Sequence, residues 1–304
     1  MNQLYEKARA FMYRNARALD LARFQYHFEG GSAENVLNVL SYYQNADGGF
    51  GHAIEADCWN PNSIPLHSNG AGSIIHEIGW TDATHPMIQK LVGWYAGGEH
   101  FNGKSWAVTV ESNNHYPHAP WWHTQSESKC HTDYNGTAQI AGFLIRYAPK
   151  HSDAFRLGVR VAQEAIAALD PETLLDMHTC TCYLRMAELI EEAGEQGLFA
   201  FDELRDKLRR SIHSLIETDT QKWGAYVCRP SQFIRSRQSG YYADNREIAE
   251  FECGFIASTQ LEDGSWPVTW SWSDFPEEWA VAKNWWKGQI ILENLLYLKG
   301  FEKI

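Results

Sequence analysis

A short turn occurs twice in this chain, and it restricts the available folds more than any other stretch. Gln44-Asn45-Ala46-Asp47-Gly48-Gly49-Phe50-Gly51 returns near the opposite end as Gln260-Leu261-Glu262-Asp263-Gly264-Ser265-Trp266. Each copy has Gln, two spacers, Asp-Gly, a small residue and an aromatic, and each follows an apolar, helix-like run. Glycine takes positive φ at little cost, and Asp hydrogen-bonds its own backbone, so Asp-Gly marks a turn. The aromatic then offers a large apolar group that fixes the turn against a helix. A turn used twice points to a repeated supersecondary unit.

Weaker copies lie between them. Asn102-Gly103-Lys104-Ser105-Trp106-Ala107 and Thr220-Gln221-Lys222-Trp223-Gly224-Ala225 keep an aromatic and a glycine but lose the rest. The interval from Trp106 to Trp223 is about two units long and leaves room for one degenerate copy. The whole fits five or six helical hairpins of roughly fifty residues each.

Apolar periodicity predicts helices over 2–25, from 33 to the first turn, and over 67–78, 86–95, 134–147, 153–169, 172–193, 201–217, 244–259 and 277–298. Asp170-Pro171 is a start signal for the helix from Glu172. Residues 52–66, with Pro61 and Pro65, and the polar stretch 224–242 predict loops. Residues 97–133 have no helical period and are rich in Trp and His, which predicts an ordered lid or cavity wall. No linker or composition break divides the chain, so one all-helical domain over residues 1–304 is expected.

The Gln-x-x-Asp-Gly-Gly/Ser-Phe/Trp turn resembles the repeat of squalene-hopene and other terpenoid cyclases and of protein prenyltransferase β-subunits. That family forms α/α toroids, in which the turn leads into an inner helix opening with small polar residues. Leu66-His67-Ser68-Asn69-Gly70-Ala71-Gly72 follows the first copy in this manner, and Trp286-Lys287-Gly288-Gln289 the last. The resemblance implies an all-α fold, an (α/α) toroid or barrel of five to six hairpins with long loops at one end. It also implies an isoprenoid or other apolar substrate in a central, aromatic-lined cavity. The family's chemical signatures are missing. The chain has neither Asp-x-Asp-Asp nor Asp-Asp-x-x-Asp, and Glu55-Ala56-Asp57-Cys58 is at best a fragment of the former. It also lacks a serine nucleophile elbow and a phosphate-binding glycine loop. A carbohydrate-active toroid, lyase or hydrolase, and a non-catalytic ligand-binding toroid are therefore the alternatives.

A formal charge of -12, with no basic run, argues against a nucleic-acid partner. No apolar run is long enough for a membrane span, and the first residues show no secretory signal. Six cysteines without regular spacing read as reduced thiols, so a cytoplasmic location is expected, with a small molecule as the partner. Thirteen Trp, 14 Tyr and 14 Phe are enough to wall a cavity, to stack on sugar rings or simply to fill a helical core.

Three groups of residues can carry chemistry. In the first, Glu55 and Asp57 follow the strongest turn, with His52, His67 and Asn69 nearby. Two close carboxylates can be driven apart in pKa, one held as an acid and one ionised. Alternatively, Asp57 or Asn62 caps the next helix and Glu55 is merely solvated. The second group is His115, His118, His123, Cys130, His131 and Asp133, whose donors zinc accepts, although the spacing matches no standard zinc signature. Trp121 and Trp122 lie in the same loop and, with His178 at a later helix start, are candidates to line a substrate. The third group is Asp244, Arg246, Glu247 and Glu250 at a helix start, with Tyr241 and Tyr242 before it. Arg246 can clamp an anion and Tyr242 or Asp244 exchange protons, the alternative being a capped helix with surface ion pairs. Trp270 and Trp286 are the aromatic candidates beside it.

Overall fold

The structure is a computed structural model that describes residues 2–126, 131, 134–170 and 174–304. Among the described residues every regular element is helical, with eleven α-helices making 61% helix and no strand. The chain divides into two compact units. One joins Met1–Val39 to Ile212–Ile304, and the other is Leu40–Ser211.

The unit Leu40–Ser211 holds α4 (Pro65–Glu77), α5 (Pro86–Ala96), α6 (Thr137–Tyr147), α7 (Asp153–Ala167) and α8 (Met177–Ala193). Pro65 and Pro86 each occupy a first-turn position, where a missing N–H costs nothing. Ser152 caps α7 by accepting from Phe155 N at 3.1 Å. Asp176 caps α8 by accepting from His178 N at 2.9 Å and Thr179 N at 3.1 Å. That cap moves the start of α8 to Met177, later than the expected Glu172; Pro171 and Glu172 lie outside the described residues. Helix α6 packs against α4, α5, α7 and α8, and α5 also packs against α7, so helices two apart in the chain touch and α4, α6 and α8 form one layer. Small residues set the spacing. A Cβ on Gly142 would lie 2.8 Å from the Met186 backbone, and one on Gly158 would lie 2.8 Å from the Leu144 side chain. Ten of the eleven residues of α6 are buried as a result.

The unit Met1–Val39 with Ile212–Ile304 holds α1 (Asn2–Asn15), α2 (Ala18–Phe28), α10 (Arg246–Thr259) and α11 (Pro276–Gly300), and α11 packs on the other three. The expected single helix over 2–25 is two helices. Asn15 Nδ2 closes α1 on Phe11 O at 3.2 Å, Arg17 turns extended (ψ 152°), and Arg17 then pairs with Asp20 at 2.7 Å. Two further helices lie at the boundaries, α3 (Ala33–Leu40) and α9 (Phe201–Leu215). Residues 218–245 are irregular, with 3₁₀ turns at Thr220–Gly224, Pro230–Gln232 and Ala243–Asn245. The fully buried Glu252 carboxylate holds the middle turn by accepting from Ser231 N at 2.7 Å and Ser231 Oγ at 2.6 Å. Desolvation raises the pKa of Glu252 against the opposing pull of Arg229 and Ser231.

Each unit carries one full copy of the repeated turn, and the two copies share the glutamine, glycine and aspartate contacts. Gln44 Nε2 donates to Gly48 O and to Met87 O, both at 2.9 Å. Gln260 Nε2 donates to Gly264 O at 3.0 Å and to Leu4 O at 2.9 Å. Gly48 (φ 100°) faces Lys90 O, and Gly264 (φ 92°) faces Lys7 O, so each glycine sits one helical turn beyond the carbonyl bound by the glutamine. A Cβ there would lie 2.5 Å and 2.2 Å from those oxygens. Asp47 accepts from Gly49 N at 3.1 Å and Ser63 Oγ at 2.6 Å, while Asp263 accepts from Ser265 N at 2.9 Å and Ser265 Oγ at 2.6 Å. Where the first copy has Gly49, the hydroxyl arrives from Ser63 instead.

The weaker copies diverge. Gly103 keeps positive φ (95°), Phe101 bridges Trp106, and Trp106 N donates to Thr137 Oγ1 at 2.9 Å, as Phe50 N donates to Ser68 Oγ at 3.0 Å. Thr220–Gly224 is a 3₁₀ turn instead, and Trp223 is buried against Phe251 and Phe255.

Candidate functional site

In the unit Leu40–Ser211 the chain leaves the turn through two residues in left-handed backbone, His52 (φ 60°) and Ala53 (φ 61°). Non-glycine residues held there cost of order 1 kcal/mol each and persist only where their surroundings impose them. Here His52 N donates to Asn60 O at 3.0 Å, and the His52 ring bonds Asn45 Oδ1 at 3.0 Å. The bend that follows carries Glu55, partly buried, and Asp57, only 2% exposed. His67, buried in the first turn of α4, accepts the Glu55 N–H on Nδ1 at 3.2 Å. That bond fixes the neutral tautomer with its proton on Nε2.

A second loop, 110–124, lies against this bend. Ala119 N donates to Asp57 O at 2.8 Å, Trp59 N donates to Pro117 O at 2.9 Å, and Cys58 bridges His118 antiparallel. Two buried amides staple the loops. Asn60 Nδ2 donates to Ser112 Oγ at 2.8 Å and to Asn113 Oδ1 at 2.9 Å, and Asn113 Nδ2 reaches Trp122 O at 3.0 Å. Cys58, Ile64, Ala107 and Val110 form a small core beneath, with Leu66 and Trp122 packed on it. Burial pushes the Cys58 thiol up to about 12, so it is no thiolate nucleophile.

The structure thus brings two of the expected groups together, the Glu55–Asp57–His67 bend and the His118–His123 loop. Trp122 serves as packing, whereas Trp121 is 47% exposed. Asn69 is partly buried, and its carbonyl accepts from Gln139 Nε2 at 3.1 Å. His178 is exposed at the start of α8. The four metal candidates do not form one donor set. His115 is exposed, His131 Nδ1 bonds Ser105 O at 2.9 Å, and His118 bonds His123 directly at 3.0 Å. Among the described residues no group of three or more His, Cys, Asp or Glu can hold a metal ion. Cys130 and Asp133 lie outside the described residues.

Polar groups extend along the layer α4–α6–α8. Gln139 donates to Ser73 Oγ at 2.6 Å, His76 Nε2 meets Glu192 at 2.9 Å, and Arg185 meets Glu188 at 3.2 Å. Beside the turn opens a depression of about 540 Å³, lined by Asn45, Asp47, Asn62, Ser63, Glu99 and His100. Asn60 and Asn113, which staple the two loops, were not among the expected site residues; amides clustered at 60–62 and 113–114 were the available signal of a stapled pair.

The remaining candidates belong to the other unit. Tyr242 donates to Glu250 Oε1 at 3.0 Å, and Arg237 grips the same carboxylate through Nε at 2.6 Å and Nη2 at 3.1 Å. The Arg237 guanidinium, with Tyr242 and Lys303, brings Glu250 down to about 2. Asp244 and Arg246 are exposed at the start of α10. Trp270 lies edge-on between Tyr226, at 5.5 Å, and Trp286, at 4.9 Å. Among the described residues no helix is long and apolar enough to cross a membrane. Comparison with protein-family models, with curated proteins and with solved structures finds no match to this chain.

Proposed function

We propose that this chain is a carbohydrate-active enzyme, hydrolase or lyase, built as an α/α ring of the terpenoid-cyclase and prenyltransferase type. The ring is supported by the contact of helices two apart within α4–α8 and by the matched register of the two turns. In a ring, α1 follows α11 as α5 follows α4, and the second turn binds α1 as the first binds α5.

One observation carries the chemical reading: the Glu55–His67 bond pins a bend holding two carboxylates in different environments. Glu55, the more accessible, is the proton donor and acceptor toward a glycosidic oxygen. Asp57, buried and backbone-anchored, supplies fixed negative charge behind it. His67 positions the bend and does not itself react. The polar layer and the open polar depression suit sugar hydroxyls, whereas an isoprenoid would strand those polar groups without water. A second reading, an enzyme acting on an isoprenoid or similar apolar substrate, draws on Tyr226, Trp270 and Trp286, whose ring faces can stabilise a cation.

Thermal-shift and turnover measurements against neutral and uronic oligosaccharides and farnesyl diphosphate separate the two. We expect an oligosaccharide to stabilise and be cleaved, with Glu55→Gln lowering kcat by about 10²–10⁴-fold, the range for a lost acid–base group. Stabilisation by farnesyl diphosphate alone favours the second reading, and an unaffected kcat in Glu55→Gln overturns the first.

A further inference from the structure

The pairing of two histidines in loop 110–124 has a chemical direction. His118 Nδ1 lies 2.6 Å from Tyr116 O, and a carbonyl only accepts, so this nitrogen carries the proton. A neutral imidazole has one N–H, which leaves His118 Nε2 as an acceptor. Its partner at 3.0 Å is His123 Nδ1, which must therefore donate. The remaining nitrogen of His123, Nε2, is left with its lone pair.

The geometry suits such a chain. The two rings are within 15° of parallel, with centres 5.3 Å apart. That separation exceeds the N···N distance by about one ring width, so the nitrogens lie on the line between the ring centres. The contact is an in-plane N–H···N bond and not a face-to-face stack. His118 is buried and His123 exposed, so the fixed ring orients the accessible one. His118 also stands across from Cys58, next to Asp57 in the chain.

We infer that His118 and His123 form an imidazole relay that presents His123 Nε2 as a proton acceptor for a hydroxylated substrate. The inference rests on the carbohydrate reading for its substrate class but not for its geometry. In the step, a substrate O–H bond breaks and Nε2–H forms, and the oxygen bonds the anomeric carbon as the glycosidic C–O bond breaks. Glu55 gives its proton to the departing oxygen, and the proton on His123 returns to Glu55 through solvent, so no further reactant is needed. His123 is the catalytic residue and His118 a positioning residue, in the manner of a group that sets the tautomer of a histidine base.

The test reads tautomers and turnover in the full-length protein. Two-bond ¹H–¹⁵N correlation spectra, recorded about 1.5 pH units above the ordinary histidine pKa, should show Nδ1–H on both His118 and His123. In His118→Phe the His123 ring should lose the enforced Nδ1–H form, while His118→Asn should retain it, because the amide can both donate to Tyr116 O and accept from His123. On a cleaved oligosaccharide, His123→Ala should lower kcat about 100-fold with KM little changed. His118→Phe should fall in between, and His118→Asn should recover part of the loss. Nε2–H on His123 in the native protein, or an unchanged tautomer in His118→Phe, overturns the relay whatever the sugar panel gives. The predicted tautomers with no oligosaccharide cleaved overturn the substrate assignment instead.

Discussion

Gly48 and Gly264 are the residues with least freedom to change. Each combines positive φ with a helix carbonyl where a side chain would stand. Alanine at either should cost about 2–3 kcal/mol or more, from left-handed strain plus the displaced contact, read as a fall in the denaturation midpoint. Gln44→Ala and Gln260→Ala each remove two hydrogen bonds and should cost about 1–3 kcal/mol. Glu250 gives a pH signature. Its folded-state pKa is lowered from 4.5 to about 2, so its contribution to stability is present above the unfolded value. That contribution fades as the pH falls from about 4.5 towards 2. Acid titration followed by circular dichroism should show that loss in the native protein and a shallower one in Glu250→Gln.

Among the elements, the stapled loops 52–64 and 110–124 depend most on single side chains. Asn113→Ala leaves Asn60 Nδ2, Cys58 Sγ and Trp122 O each short of a partner, and should speed amide exchange in both loops together. Exchange rising in one loop alone would contradict the staple. The helices were legible in the sequence because their apolar period, first-turn prolines and caps are local signals. The break at Ala16–Arg17 was not, since only Asn15 marks it and the kink depends on Arg17 meeting Asp20. Within the candidate site, Glu55, Asp57 and His67 could be picked from their place after the turn. The approach of His118 and the amide pair could not, because the loops that meet are separated by two helices, α4 and α5.

For the whole molecule, the matched turns predict independent effects. Gly264→Ala should raise amide exchange chiefly in Met1–Val39 with Ile212–Ile304, and Gly48→Ala chiefly in Leu40–Ser211. The repeat was legible because both glycines and both glutamines are written in the sequence; the loss of regular helix over 218–245 was legible only as polarity. The carbohydrate reading places its ligand on the Leu40–Ser211 unit, against the two stapled loops, and hydrogen–deuterium exchange with and without the oligosaccharide that stabilises the protein tests this most directly. Protection concentrated in residues 52–69 and 113–124 is the predicted result. Protection confined to the stretch around Tyr226, Trp270 and Trp286 would contradict it.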